Sequence, residues 1–372
     1  MISELVNKFE NVYIHEASRE SDVAKRFCEL LPNDKIHFID TSAAASNTIS
    51  GELSARQFNR SKKNIMIAPF KGQFFKRCPG SSGSGLACCN YYVLNLGLQC
   101  DMNCSYCYLQ SFINTSMLTI YSNIDDAILE LKEMYAAAPN KAVRVGTGET
   151  IDSLSLDPLT LYSKKLIGAF REMPNWKLEF KSKSRFIEQF IETPHVGNVI
   201  VSWSINPQEI ISSEEHGTAS LEERLSAAET AVSKGFQVSF HIDPMIWHPN
   251  WKQNYIELAE QIHRRFLPSQ VLTISVGGLR FQTEQRHIMR ERFGMKSYVT
   301  QAEVFKGHDG KLRYDLDLRN EMFDTLISRF RSLDSKWRVF LCMESPETWV
   351  SNFSAHPMRV EGLKEIFEPI LL

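Results

Sequence analysis

An α/β fold on a parallel sheet is what this sequence predicts, and three observations carry it. Six apolar, strand-like runs recur along the middle of the chain, helical-period segments separate them, and a cysteine-rich loop leaves the first run. The runs lie at 91–98, 142–146, 177–181, 198–205, 237–242 and 271–276, and the helical segments at 124–137, 157–171, 184–192, 220–234 and 251–266. Strands alternating with helices of this length indicate repeated βα units. Asp157-Pro158, and Ser220 with Glu223, read as helix starts, and Lys234-Gly235 reads as a stop. Six such units close partly into a barrel or stay open as a doubly wound sheet. In both, functional groups collect at the C-terminal strand ends.

The flanks are less regular. Asp22 to Leu31 has helical spacing, and Ile36–Ile39 reads as a short strand. Thr41 to Lys63 reads as a mobile or extended segment, and Lys76 to Gly85, rich in Gly and Ser, as a flexible loop. The tail holds two further helices and an apolar run, Trp337 to Cys342, that reads as another strand.

Hydrophobic content of 43% over 372 residues is enough for a substantial core. No run is apolar for long enough to cross a bilayer, and the N-terminal residues lack the pattern of a signal peptide. A cytoplasmic location is therefore expected, where eight cysteines serve as ligands or thiols rather than as a disulfide framework. The net charge of −2 gives no global attraction to nucleic acid. A local patch, Arg60, Lys62, Lys63, Lys71, Lys76 and Arg77 with Phe70, Phe74 and Phe75, offers cations and stacking faces. The plainer account is a solvated loop beside core aromatics.

Cys100, Cys104 and Cys107 fall within eight residues directly after the first strand. Thiolates this close can hold one iron–sulfur cluster, and three of them leave one iron open, as in a catalytic rather than a closed metal site. The alternatives are zinc, for which no nearby histidine completes the set, and three unrelated buried thiols.

A Cys-x3-Cys-x2-Cys loop after the first strand of a six-fold βα array resembles the radical S-adenosylmethionine (SAM) enzymes. Further segments narrow the resemblance to the spore photoproduct lyase-like group: Cys104-Ser-Tyr-Cys107-Tyr-Leu-Gln110, Asn123-Ile-Asp-Asp126, Leu156-Asp-Pro-Leu159, Lys181-Ser-Lys183, Ser202-Trp-Ser-Ile-Asn206, Gly217 to Ala228, His241-Ile-Asp-Pro244 and Pro249-Asn-Trp251. The similarity covers most of 88–285. It implies a partial (βα)6 TIM-type barrel over 90–285, with a small N-terminal α/β extension at 1–89 and a C-terminal α/β extension at 286–372 that closes the barrel.

The resemblance also implies roles. Cys100, Cys104 and Cys107 would hold a [4Fe-4S] cluster whose open iron is chelated by SAM. Gly146, Gly148 and Glu149 would form the turn that meets the SAM ammonium, because glycine lets backbone approach closely and a carboxylate accepts from an ammonium. Lys183 would contact the SAM carboxylate, and Ser204 or Asn206 the ribose or carboxylate. Tyr106 would lie near the adenosyl group, or simply pack against the cluster. His241 either faces SAM or substrate or is a core histidine bonded to Asp243. Tyr108 resembles a tyrosine of hydrogen return. The cysteine that donates hydrogen in the spore enzyme is replaced here by Glu149 or Gly148, and no cysteine occurs between Tyr108 and Leu341. Cys342 is a candidate for that task, or a buried structural thiol. Cys88 and Cys89 read as packing thiols or as neighbours of the cluster, and Cys28 as core.

The expected function is a radical SAM lyase cleaving a carbon–carbon bond in UV-damaged DNA, with a ferredoxin or flavodoxin as electron donor and no membrane partner. A radical SAM enzyme with a small-molecule or peptide substrate, and a non-catalytic iron–sulfur or zinc protein, are the alternatives.

Overall fold

The structure is a computed structural model that describes residues 2–40, 54–78, 85–87 and 89–367. In chain order its strands are β1 (Asn11–His15), β2 (Ile36–Ile39), β3 (Asn64–Ala68), β4 (Phe75–Arg77), β5 (Tyr91–Leu94), β6 (Gly97–Leu98), β7 (Asn103–Cys104) and β8 (Leu118–Tyr121). There follow β9 (Arg144–Gly146), β10 (Lys177–Ser182), β11 (Val199–Ser204), β12 (Glu215–His216), β13 (Gln237–Met245), β14 (Val271–Gly278), β15 (Arg280–Phe281), β16 (Phe305–Lys306), β17 (Leu312–Arg313) and β18 (Val339–Leu341).

The main sheet has eight strands in the order β18-β14-β13-β11-β10-β9-β5-β4. All its neighbours pair in parallel except β4, which runs antiparallel to β5. The six expected strands are its centre, and the run ending at Cys342 supplies β18. The sheet curls far enough for its two ends to approach. The Ala87 amide donates to the Glu344 carbonyl at 3.0 Å, and Asn90 Nδ2 donates to the Ile366 carbonyl at 3.1 Å. This is the partial barrel the resemblance implied.

Side-chain alternation sorts the two faces of the sheet. Leu178 and Phe180, Val199, Val201 and Trp203, Val238 and Phe240, and Ile274 and Val276 are all buried. They occupy one set of alternate positions, and helices Tyr162–Phe170, Leu221–Ser233 and Leu316–Leu333 pack on β10, β11 and β14. The other set carries Lys177, Glu179 and Lys181, Ser202 and Ser204, His241 and Asp243, and Thr273 and Ser275. Most of these are buried too, so the inside of the barrel is polar.

Local signals explain the helices. Ser220 and Glu223 form a reciprocal capping box at the start of Leu221–Ser233, and Gly235 ends it at φ 84°. Pro158 stands in the first turn of Asp157–Thr160. The single helix expected at 157–171 is broken at Leu161, which is left-handed with φ 54°. The Asp157 carboxylate there accepts from the Ser163 amide and hydroxyl. No helix forms at 184–192, despite apolar residues at helical spacing. The Ser182 and Ser184 hydroxyls accept from the amides of Ser184 and Phe186, and such local bonds compete with helix formation.

Other flank expectations are corrected. Ala55–Ser61 is a helix with its own capping box, Ser54 with Gln57, rather than extended chain; positions 41–53 lie outside the described residues. Lys76 and Arg77 belong to β4, and 79–84 lie outside the described residues, as does Cys88. The tail contains more than two helices: Gln285–Phe293, Tyr298–Gln301, Leu316–Leu333, Pro346–Phe353 and Lys364–Phe367. β1, β2 and β3 form a second sheet, in the order β2-β1-β3-β8-β6, that is completed by β8 and β6 from beyond residue 90. Among the described residues no helix is long and apolar enough to cross a membrane.

Asn198, buried just before β11, donates through Nδ2 to the carbonyls of Phe170, Met173 and Trp176 at 2.8, 3.1 and 3.0 Å. It ties the end of one helix to two strands. Asn198→Ala removes all three bonds. The Phe170 and Met173 carbonyls keep the amides of Met173 and Trp176, so the loss falls mainly on the Trp176 carbonyl and is expected to cost about 1–2 kcal/mol. Denaturant unfolding checks this, and an unchanged midpoint would contradict it.

Candidate active site

The cysteine loop starts at Gln99, whose backbone is left-handed at φ 82° and whose buried amide donates to Ser61 Oγ at 2.7 Å. The turn carries the chain out of β6 and over the C-terminal end of the barrel. Cys104 lies in β7, which pairs antiparallel with β12 so that Cys104 faces Glu215. Cys104 is buried, and Cys100 and Cys107 pack half-buried on a small apolar cluster of Phe58, Leu109 and Ile113. Burial pushes the Cys104 thiol up to about 12 and the Cys100 thiol well above its ordinary range. Metal-free, these groups are thiols, and iron binding must release their protons.

Among the described residues no three His, Cys, Asp or Glu side chains converge on one metal ion. A tetrahedral zinc site needs that convergence. A cubane cluster does not, since its thiolates bind different irons.

Glu215 links this loop to the barrel. Its carboxylate accepts from the Tyr106 hydroxyl and from Asn206 Nδ2 at 3.0 Å, and pairs with Arg224 at 2.7 Å. Burial opposes its ionisation, but Arg224 and Lys183 outweigh burial and keep it below the usual carboxylate range. Arg224 also donates to the carbonyls of Ser204 and Ala219 and to Thr218 Oγ1, at 2.8, 2.9 and 2.6 Å. Lys183 follows β10, with its ammonium 5.6 Å from the centre of the Tyr106 ring. Among the described residues it has no ion-pair partner. An unpaired, half-buried ammonium beside the cysteine loop suits an anionic group such as the carboxylate of SAM.

The structure therefore brings Cys100, Cys104, Cys107, Tyr106, Lys183, Ser204 and Asn206 together. The Asn206 side chain is engaged internally at both ends, because its Oδ1 accepts from the Tyr255 hydroxyl at 2.9 Å. His241 lies deeper. Its Nε2 donates to Glu179 at 2.9 Å and its Nδ1 accepts from Ser275 Oγ at 2.6 Å. The expected Asp243 partner is corrected: Asp243 is bound in bidentate fashion by Arg280, at 2.7 and 2.9 Å.

Gly146 and Gly148 are required by close packing. A Cβ on Gly146 would fall 1.6 Å from the Tyr91 hydroxyl oxygen, and one on Gly148 would fall 2.6 Å from the Lys181 carbonyl. Glu149 follows, its carboxylate 3.5 Å from Lys76 and its carbonyl accepting from the Tyr108 hydroxyl at 2.8 Å. Cys342 continues β18, its amide donating to the Val276 carbonyl at 2.7 Å. Its thiol is held well above its ordinary range, chiefly by burial and then by Asp243. Cys28 packs partly buried on the N-terminal core, and Cys89 lies 3.8 Å from Arg144 Nη2.

The aromatic and basic patch at 60–77 follows the plainer account, with core aromatics beside paired charges. Phe74 and Phe75 are buried, Phe70 stacks on Tyr121 at 4.3 Å, and Lys63 and Lys76 pair with Glu10 and Glu149.

Sequence reasoning missed Glu179, Arg144, Glu215, Arg224, Gln285 and Arg292, and placed Lys62 only in the basic patch. Glu179 lies 3.4 Å from Arg144 and accepts from Ser202 Oγ at 2.5 Å. Burial works against its charge, and Arg144, His241 and Ser202 overcome it to hold the carboxyl well below its usual range. A carboxylate centred in the run Lys177-Leu-Glu-Phe-Lys181, and an arginine in 142–146, are the signals. Arg224 shares the apolar stripe of its helix with Leu221, Leu225 and Ala228, which is anomalous for a charge.

A curled sheet of parallel βα units with a three-thiol loop beyond its first strand defines the radical SAM class of enzymes. The family model described as spore photoproduct lyase matches residues 8–319, and the chain belongs to that family. It is 24% identical to the spore photoproduct lyase of Geobacillus sp. strain Y412MC61, over 66% of this chain and 70% of that one. With that of Clostridium acetobutylicum it is 23% identical, over 87% and 95%. A solved structure of a spore photoproduct lyase double mutant with bound AdoMet and dinucleoside spore photoproduct covers 90% of this chain, and 99% of its own is matched, at a TM-score of 0.77 and 22% identity. Another, complexed with the dinucleoside alone, gives 0.76.

His241 is held down to about 4 from 6.5, by burial and then Lys181. Between those values the unfolded chain takes a proton that the folded chain refuses, so stability falls as pH drops from 6.5 toward 4. The expected loss is about 3 kcal/mol, and it flattens in His241→Gln. Unfolding midpoints across this pH range check both curves, and parallel curves would refute the assignment. Glu179→Ala leaves Arg144 buried without its partner and is expected to cost about 3–5 kcal/mol in the same measurement.

Proposed function

We propose that this chain is a radical SAM lyase that holds a [4Fe-4S] cluster on Cys100, Cys104 and Cys107 and acts on a thymine dimer in UV-damaged DNA. The observation that carries the reading is the buried three-thiol loop set beside the unpaired ammonium of Lys183 at the strand ends. Family membership supports the cofactor, and the dinucleoside held by solved relatives supports the substrate class. When bound, the cluster and SAM together supply a 5′-deoxyadenosyl radical from one electron, with methionine as the other product. A ferredoxin or flavodoxin in the cytoplasm is the proposed electron source.

The chain's own residues do the rest. Lys183 binds the SAM carboxylate, and Tyr106, held by Glu215, borders the adenosyl group. Ser204, at the end of β11, lies where a ribose or carboxylate is met. The turn at Gly146, Gly148 and Glu149 brings backbone to the ammonium. His241 and Asn206 act at one remove, since both are bonded to protein groups. Tyr108, partly exposed at the barrel mouth, and Cys342, at the end of β18, are proposed for hydrogen return. The barrel over 90–285 carries the chemistry, and 1–89 and 286–372 support it. Glu149 in place of a donor cysteine also favours a second reading, the same cofactor acting on a different small molecule or peptide.

Anaerobic reconstitution with reductant, SAM and dinucleoside spore photoproduct tests the proposal. Restored thymidines together with 5′-deoxyadenosine are expected, both absent in Cys104→Ala. Formation of 5′-deoxyadenosine with the photoproduct untouched, in UV-irradiated DNA as well, would favour the second reading. No 5′-deoxyadenosine from protein loaded with four irons would overturn both. Tyr108→Phe removes the O–H proposed for hydrogen return and is expected to slow thymidine release at least roughly tenfold, a barrier increase of about 1.4 kcal/mol.

A further inference from the structure

Donors from outside the three-thiol loop hold several of its backbone carbonyls. Lys62, which follows helix Ala55–Ser61, donates from Nζ to the carbonyls of Cys100 and Met102, both at 2.6 Å. From the other flank of the chain, Gln285 Nε2 donates to the carbonyls of Tyr106 and Cys107, both at 3.1 Å. Seven residues further along the same helix, Arg292 donates to Gln110 Oε1 at 2.5 Å, to Asn103 Oδ1, and to Asn59 Oδ1 at 2.9 Å. The Lys62 ammonium and the Arg292 guanidinium both lie over the Phe58 ring, at 4.8 and 4.3 Å. Cys100 and Cys107 pack against that same ring and its cluster.

Among the described residues neither Lys62 nor Arg292 has a carboxylate partner. The one acid inside the loop, Asp101, pairs with Lys8 at 3.3 Å. Two cations without a carboxylate partner therefore contact the thiol-bearing loop, Lys62 through the carbonyls of Cys100 and Met102 and Arg292 through the side chains of Asn103 and Gln110.

We propose that Lys62 and Arg292 form a cationic brace that orders the three-thiol loop before metal arrives and raises the reduction potential of the cluster it holds. The second half rests on the radical SAM reading. The reasoning is electrostatic. Reducing the cluster adds a negative charge beside both cations in a partly water-excluded site, so they stabilise the reduced form more than the oxidised one. The first half needs only geometry. Lys62 holds the carbonyls of Cys100 and Met102, and Arg292 holds the side chains of Asn103 and Gln110; each set of bonds is lost when its donor is removed, while the two carbonyls on Gln285 stay held.

The test uses the full chain and the variants Lys62→Met, Arg292→Met, Lys62→Arg and Arg292→Lys. In the metal-free protein, hydrogen exchange of the amides at 100–107 is expected to quicken roughly tenfold in each Met variant, with that of β13 unchanged. In the reconstituted protein, an EPR-monitored potentiometric titration is expected to give a lower midpoint potential for both Met variants and near-native values for Lys62→Arg and Arg292→Lys. Should a Met variant unfold throughout, seen as faster exchange in β13 as well, Lys62→Ala or Arg292→Ala supplies the exchange reading, and Lys62→Gln or Arg292→Gln, with a donor kept and the charge removed, supplies the potential reading. Native exchange at 100–107 overturns the brace as an ordering device. A native midpoint at full iron content overturns its electrostatic role. A wild-type chain that takes up no four-iron cluster defeats the cofactor reading and with it the potential claim, while the exchange result still decides the ordering claim.

Discussion

Glu215 is the residue through which the cysteine loop and the barrel are joined. Its backbone pairs with Cys104, and its buried carboxylate gathers Tyr106 from the loop, Asn206 from beyond β11 and Arg224 from the helix that packs on β11. A buried carboxylate is tolerable only when charge and hydrogen bonds satisfy it. Here the groups that satisfy it come from three separate elements. Moving any of them leaves an ionised oxygen in a water-poor site, and that penalty fixes the loop relative to the strand ends. The neighbouring Glu214 acts in parallel: it accepts from the Ser105 hydroxyl, from Ser297 Oγ at 2.7 Å and from the Tyr298 amide at 2.7 Å. Two consecutive acids thus tie the loop to both the barrel and the C-terminal extension.

A second network lies inside the barrel. Arg144, Glu179, Ser202, His241 and Ser275 link β9, β10, β11, β13 and β14 through side chains alone. Parallel strands buried on both faces ordinarily read as continuous apolar runs. These runs alternate instead, because one face meets helices and the other a polar lumen. Since Glu179 keeps its charge, it is an acceptor, so the ring proton of His241 resides on Nε2 and Ser275 supplies the proton to Nδ1. The network is fully directed, and it leaves His241 without a free nitrogen for a ligand.

These two networks explain what was legible in the sequence. Strand and helix order was readable because period-2 and period-3.6 patterns survive in 91–276, and the helix starts carry explicit caps at Pro158 and Ser220. The loop cysteines were readable because their spacing is itself the chemistry. The charged partners were not, because ion pairs such as Glu179–Arg144 and Glu215–Arg224 join positions far apart in sequence, and no spacing encodes them. Residues 184–192 misled because apolar spacing outweighed the two serines whose hydroxyls cap the backbone. Ala55–Ser61 was missed although Ser54 and Gln57 spell a capping box, since the surrounding Ser, Ala and Asn suggested extended chain. The expected pair of His241 with Asp243 failed on simple strand geometry. Residues two apart lie on the same face but point along parallel lines, so each finds its partner on another strand or beyond the sheet.

Glu149 is where the family resemblance and the geometry pull in different directions. On the proposed reading Glu149 or Gly148 stands where the donor cysteine would; neither carries a thiol, so hydrogen would return from another group. The backbone there remains suited to the task, since the Glu149 carbonyl anchors the Tyr108 hydroxyl and points that phenol toward the second strand end. The Glu149 side chain pairs instead with Lys76. On the opposite seam of the barrel, Cys342 is held protonated by burial and so retains an S–H bond at physiological pH. A phenol and a thiol, each kept neutral by its surroundings, are the two groups we propose for hydrogen return, and the near-closure of the sheet between Ala87 and Glu344 carries the thiol's strand round toward the strand that precedes the loop.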